Sequence, residues 1–155
     1  MDKKTRRRLL MGKHFFVIFQ ANKVPLNSKY IDGQGAYTVA ADKITVGGGS
    51  DSAIPRLLIK GTITPKFSEY KTIHILAKAT AQTHQGLGDG EMRVDNQPQL
   101  SQSSILGNPY IIVSGKTERE YILDISSTSK SFQFVSIKAN YTWYTGEITK
   151  IWLEK

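Results

Sequence analysis

The stretch that decides the fold is Arg119–Lys155, REYILDISSTSKSFQFVSIKANYTWYTGEITKIWLEK. Three runs of strand-forming residues stand in it, Glu120–Ile125, Ser131–Lys138 and Gly146–Leu153, separated by segments of polar and turn-forming residues. Within the runs apolar residues recur at every second position: Tyr121, Leu123 and Ile125; Phe132 and Phe134; Ile151 and Leu153. A period of two places one face against a core and one against water, the pattern of half-buried antiparallel strands. The loop between the last two runs gathers Tyr141, Trp143 and Tyr144 within a few residues.

Working outward, the same punctuation continues through the chain. Residues 14–20, HFFVIFQ, predict a first strand dense enough in β-formers to need pairing or a cover, since such a run at an open edge invites association. Asn22–Gln34 is rich in Pro, Asn, Ser, Asp and Gly and predicts a loop. Ala36–Ala40 and Lys43–Val46 predict two short strands about an Ala41-Asp42 turn; Arg56–Thr64 and Lys71–Thr80 predict the next two. In the second of these Ile73, Ile75, Ala77 and Ala79 share a face, with His74 opposite as a surface or inter-sheet histidine. Phe67 and Tyr70 are placed to plug one end of the core. Glu91–Asp95 and Tyr110–Val113 complete the set, around a polar connection at Asn96–Asn108. Nine or ten short strands with no helix predict an all-β antiparallel sandwich of jelly-roll type.

Composition narrows the function classes. A chain of 155 residues suits one domain with a real core. It has no cysteine, which excludes disulfides and thiolate metal sites. No run of about 18 apolar residues offers a membrane-spanning helix. The net charge of +8 is unevenly spread. Residues 1–14 carry six basic side chains against Asp2, a net +5, whereas the other 141 carry 15 basic and 12 acidic side chains, a net +3. The expected organisation is therefore a basic arm at 1–13, with Arg6, Arg7 and Arg8, joined to one sandwich domain at 14–155. Contact with nucleic acid through the arm ranks low because the body is nearly balanced. A secretory signal lacks its uninterrupted apolar core, broken by Lys13 and His14.

Enzyme arrangements fail in turn. There is no cysteine nucleophile, no GxSxG and no HExxH. The glycine run at Gly47–Gly49 has no following GKS or GKT to cradle phosphate. The loop with His84, Asp89 and Glu91 lacks the ligand spacing of a calcium loop. A paired-carboxylate glycosidase stays open through Asp89, Glu91, Asp124 and Glu147, but nothing in their spacing favours it, and Asp124 and Glu147 read better as ordinary solvent-face or hydrogen-bonding carboxylates. The expectation is a non-enzyme without metal or cofactor. Asn140, Tyr141, Trp143 and Tyr144 form the candidate glycan site, because aromatic rings stack on the apolar faces of sugars while amides and hydroxyls bind their hydroxyl groups. The competing use of this loop is packing at a sandwich end or a subunit interface.

The runs FSEYKTI at 67–73, EYILDIS at 120–126 and ITKIWLE at 148–154, with the opening RRRLLM at 6–11, resemble β-sandwich modules of bacteriophage and prophage structural proteins. Those modules resemble galactose-binding-like and carbohydrate-binding jelly rolls. The resemblance implies a virion protein serving particle assembly or decoration, and host-surface glycan adhesion. Its partners would be other virion proteins, its own copies in a homo-oligomer, or a surface glycan. In that reading Arg6, Arg7 and Arg8 supply electrostatic docking, and Phe15, Phe16, Ile18 and Phe19 the apolar contact. The alternative is a secreted or cell-surface carbohydrate-binding module with residues 1–21 removed; a capsid-lining contact with nucleic acid ranks third.

Overall fold

The computed structural model describes residues 15–47, 56–61, 67–81, 88–95, 109–126, 134–139 and 144–155. They form twelve strands: β1 (Phe15–Gln20), β2 (Ile31–Gln34), β3 (Tyr37–Val39), β4 (Ile44–Gly47), β5 (Arg56–Lys60), β6 (Thr72–Ala81), β7 (Gly88–Asp89), β8 (Glu91–Asp95), β9 (Ile111–Ser114), β10 (Arg119–Asp124), β11 (Phe134–Ala139) and β12 (Tyr144–Glu154). Single 3-10 turns at Ser28–Tyr30 and Phe67–Glu69 are the helical segments among the described residues.

The strands make two antiparallel sheets. Sheet A runs β10-β6-β12-β4-β3, with β1 also on β12 and β7 on β6; sheet B runs β2-β5-β11-β8-β9. Consecutive strands share a sheet at β3–β4, β6–β7 and β8–β9, and at every other step the chain changes sheet, so neighbours in sequence are often neighbours across the sandwich. This is the jelly-roll type of two-sheet fold that the strand count predicts.

β12 is the spine. Its eleven residues pair along one edge with β6, from Tyr144↔Ala81 to Glu154↔Thr72. The other edge is shared, β4 taking Thr145–Ile148 and β1 taking Lys150–Glu154. A bulge at Thr149 marks the hand-over, where the Ala21 amide donates to the Thr149 carbonyl at 2.8 Å.

The core lies between the sheets. Sheet A contributes Phe19, Ile44, Val46, Ile73, Ile75, Ala77, Ala79, Leu123, Ile148, Ile151 and Leu153; sheet B contributes Leu57, Ile59, Met92, Val94, Val113, Val135, Ile137 and Ala139. Each fully buried branched side chain contributes roughly 1.5–3 kcal/mol relative to exposure. Gly146 faces this core, and Met92 fills the space that a side chain there would need. Phe67 is buried as expected and Tyr70 packs against the core beside it.

Three local expectations are corrected. β2 lies inside the segment expected to be a loop: Asp32 and Gly33 are turn formers by local chemistry, but β5 offers Ile31–Gln34 a ladder. β7, two residues long, lies in the segment expected to be the loop with His84 and Asp89, held on β6. In β11 the core-facing set is Val135, Ile137 and Ala139, which the alternation did not single out; Phe132 lies outside the described residues. The alternation misleads because β11 is buried on both faces, Ser136 and Lys138 included.

Gly47 closes the β4 end of this frame at φ 99°, with the Tyr144 carbonyl where a side chain would stand. Gly47→Ala is expected to cost about 2–4 kcal/mol, joining left-handed strain to a backbone clash. Urea unfolding of the variant checks this; a loss under about 1 kcal/mol would show that β4 shifts freely against β12.

Candidate functional site

The richest polar arrangement among the described residues stands on the outer face of sheet B. Alternation along the strands points Arg56, Leu58 and Lys60 of β5, Ser136 and Lys138 of β11, and Glu91, Arg93 and Asp95 of β8 away from the core. The register stacks them in rows. Lys138 lies between Arg56 and Arg93; Ser136 lies between Leu58 and Asp95.

Asp95 ties the rows together. Its carboxylate accepts from Lys138 Nζ at 3.0 and 3.2 Å and from Arg93 Nε at 2.8 Å. Asp95 and Lys138 are both buried, at 0% and 3% exposure. Burial pushes the Lys138 ammonium below its ordinary pKa; the bond to Asp95 opposes this, while the nearby charges of Arg93 and Arg56 add to it. Arg93 also reaches Tyr110, its guanidinium carbon 4.0 Å from the ring centroid. Tyr110 is 51% exposed. One ring face is thus braced by a cation that is itself held by a buried carboxylate. Ser136 Oγ is buried on the same side and makes no hydrogen bond. A braced phenol beside fixed donors and an acceptor is suited to an apolar ring bearing hydroxyl groups.

The outer face of sheet A is built differently. His74 points outward as expected, yet it is only 5% exposed because Trp152 stacks over it, centroids 4.9 Å apart and planes 23° apart. His74 Nδ1 lies 2.7 Å from Glu120 Oε1, and Nε2 lies 2.9 Å from Thr72 Oγ1 and 3.2 Å from Glu154 Oε2. The Trp152 indole donates to Glu154 at 2.9 Å, and the Lys150 ammonium sits 4.5 Å from its centroid. His74 is therefore fastened within a surface network. Further along, Glu147 accepts from Lys43 at 2.8 Å and lies 3.1 Å from Lys78. The Asp124 carboxylate caps the chain after β10, accepting from the amide and hydroxyl of Ser126.

Of the residues singled out in the sequence, Asn140, Tyr141 and Trp143 lie outside the described residues, as do Arg6, Arg7, Arg8 and His84. Tyr144 opens β12, half-buried and packed on the core. Phe15 is 48% exposed, and Phe16 packs partly against the core. Phe19 and Ile18 are buried in this chain's own core, so neither has surface left for an intermolecular contact. Sequence reasoning missed Tyr110, Arg93, Asp95 and Lys138 as a group. The outward alternation Glu91, Arg93, Asp95 was a usable signal, but the neighbours of β8 are set by long-range pairing.

Two consequences can be measured. Asp95→Asn is expected to cost about 3–5 kcal/mol, since it leaves buried cations facing one another. Lys138→Met should cost under about 2 kcal/mol, because Arg93 still pairs Asp95 and a desolvated charge is removed. Denaturant unfolding of both variants checks the order; equal losses would show that Asp95 does not organise the cluster. On sheet A, the Lys43 hydrogen bond chiefly, with help from Lys78, holds the Glu147 carboxyl below its ordinary pKa of 4.5. The unfolded chain therefore takes up that proton first on acidification. The stabilisation is complete above pH 4.5 and is lost as pH falls through the folded-state value. Glu147→Gln should cost less than about 1 kcal/mol at neutral pH, and the gap from the parent should close in acid. A gap independent of pH would contradict the ion-pair account.

No protein-family model matches the sequence, and no curated protein matches it. Solved structures do share its architecture. A mutant of CBM29-2, a family 29 carbohydrate-binding module, aligns over 90% of this chain and 90% of its own with TM-score 0.57 and 13% identity. CBM29-1 from Piromyces equi, of the same family, aligns over 91% and 90% with TM-score 0.57 and 12% identity. A CBM29-2 mutant complexed with mannohexaose aligns over 90% and 89%, again with TM-score 0.57 and 13% identity. At such identities the likeness is one of fold: this chain has the two-sheet sandwich of those modules.

Proposed function

We propose that the chain is a carbohydrate-binding module, acting by binding rather than catalysis, at a secreted or cell-surface location. The observation that carries the reading is Tyr110, an exposed ring braced by Arg93 above the fixed polar row of sheet B. Tyr110 takes the apolar face of a sugar ring. Arg93, which keeps some exposed surface, bonds its hydroxyl groups with little ordering cost, because the buried Asp95 already holds it and Lys138 in turn holds Asp95. The fold supports this: its structural neighbours are carbohydrate-binding modules, one complexed with cellulohexaose and another with mannohexaose.

The aromatic loop joins the same proposal. Its flanks are Ala139, next after Lys138 on β11, and Tyr144 at the start of β12. Asn140, Tyr141 and Trp143 are proposed to contribute further contacts to the same ligand. The structures named above are not virion proteins, so particle assembly rests on the sequence resemblance alone, and the basic arm at 1–13 with it.

Affinity electrophoresis of the full chain through gels containing soluble mannans, glucans and acidic polysaccharides tests the reading. The chain should be retarded by at least one polymer. Tyr110→Ala should lose about tenfold or more in affinity with its melting temperature unchanged, and Trp143→Ala a smaller amount. A chain that runs freely through every polymer would sink the proposal.

A further inference from the structure

We infer that the ligand of this face is an extended glycan lying along the edge strand β9, with successive sugars on Tyr110 and Ile112 and the polar end of the strip at Ser114. This rests on the carbohydrate-binding reading and gives the site its direction and length.

Register and alternation place the strip. The outward-pointing Arg93 is paired with Ile112, and the buried Met92 with the buried Val113. Ile112 therefore shares the outer face with Ser114, two residues on, and with Tyr110, whose ring lies against the Arg93 guanidinium. Tyr110 and Ser114 are exposed, and Ile112 is half-buried. Alternate residues of a strand stand about 6.8 Å apart on one face, so a sugar ring centred on Tyr110 leaves Ile112 to its neighbour. β9 thus presents an aromatic ring, a branched aliphatic group and a hydroxyl in line.

The other course for a ligand runs across the strands. The β8–β9 ladder ends at Val94↔Ile111, with Asp95 and Tyr110 the next residue on each strand. Asp95 is paired with Ser136, and Ser136 with Leu58 of β5. Asp95 and Ser136 are both 0% exposed. A chain laid on that line therefore meets no exposed side chain of the line between Tyr110 and the half-buried Leu58. Along β9 each outward side chain keeps surface that a sugar can cover, and burial of apolar faces is what such contact gains.

The strip is also held before a ligand arrives. β8 pairs one edge of β9, and Tyr121 of β10 fastens its end: the phenol accepts from the Ser114 amide at 3.3 Å and donates to the Ser114 carbonyl at 3.2 Å. Arg93 braces Tyr110 at the other end and stands opposite Ile112, at the junction of the two sugars. A support fixed at both ends lowers the ordering cost of binding.

The test is calorimetric titration of the full chain with mannose, mannobiose and mannotriose, and with glucose, cellobiose and cellotriose. In at least one series affinity should rise about tenfold from the monosaccharide to the disaccharide. Ile112→Ser should remove most of that rise and leave monosaccharide binding unchanged. Ile112→Trp should strengthen disaccharide and trisaccharide binding about tenfold, again without changing the monosaccharide. Leu58→Trp, on the crossing line, should change neither, and it keeps the test open should an Ile112 variant fail to fold, which melting temperatures check. A rise that both Ile112 variants leave intact, or that Leu58→Trp strengthens, overturns the inference. So does a rise lost only in Trp143→Ala, which would turn the ligand towards the aromatic loop. Equal affinity for monosaccharide and trisaccharide overturns it while leaving the carbohydrate-binding reading intact. No binding in either series overturns it too, and retardation of the chain by a polymer in the gel then decides that reading separately.

Discussion

The constraint on which the structure depends is that β12 must satisfy its backbone on both edges over eleven residues. A buried strand of that length cannot leave amides or carbonyls unpaired without a heavy cost. β6 meets one edge alone, but no single strand meets the other. β4 and β1 divide it, and the bulge at Thr149 absorbs the change of register between them. That division brings the first strand of the chain beside the last. It also explains why Phe19 and Ile18 belong to the core: β1 fills the part of the β12 edge that β4 leaves open, paired to the strand that carries Ile151 and Leu153.

Once the inner faces are filled, the two outer faces are free to differ. On sheet A the network of His74, Glu120, Glu154 and Thr72 is closed over by Trp152, so its polar atoms mostly serve one another. On sheet B the polar residues are also buried, but Asp95 balances more than one cation at once, and one of these supports an exposed ring. Buried charges are costly unless paired and hydrogen-bonded, so Asp95, Lys138 and Arg93 fix one another's positions more than they add to stability. What the cluster does supply is order, since side chains already fixed by one another lose little entropy on making a further contact.

The frame was far more legible in the sequence than the site. β8 and most of β10 and β12 can be read from alternation, because their inner and outer faces differ in polarity: Met92 and Val94 against Glu91 and Arg93, Leu123 against Glu120 and Asp124. β11 defeated the same logic, since a strand buried on both faces has no polarity contrast to read. β2 was hidden because a ladder partner far along the chain overrode the turn chemistry of Asp32 and Gly33. The site failed for a related reason. Tyr110, Arg93, Lys138 and Arg56 come from four separate stretches, and only the strand order β5-β11-β8-β9 makes them neighbours. The aromatic loop drew attention in the sequence because its residues are adjacent there; adjacency in sequence and adjacency on a sheet are different properties.

The same distinction governs what a shared fold can carry. Alignment over nine-tenths of both chains at 13% identity means that the hydrophobic alternation and strand order are common while most side chains are not. Inner faces tolerate exchange among Ile, Leu, Val and Met provided volume and pattern are kept, so the sandwich survives wide divergence. Outer faces have no such equivalence: replacing a hydroxyl or amide by a guanidinium changes which ligand is favoured without disturbing the core. What the outer face of this chain can do therefore has to be argued from its own side chains, Arg93 and Tyr110 among them. The fold supplies only the flat, two-sided support on which those side chains are held.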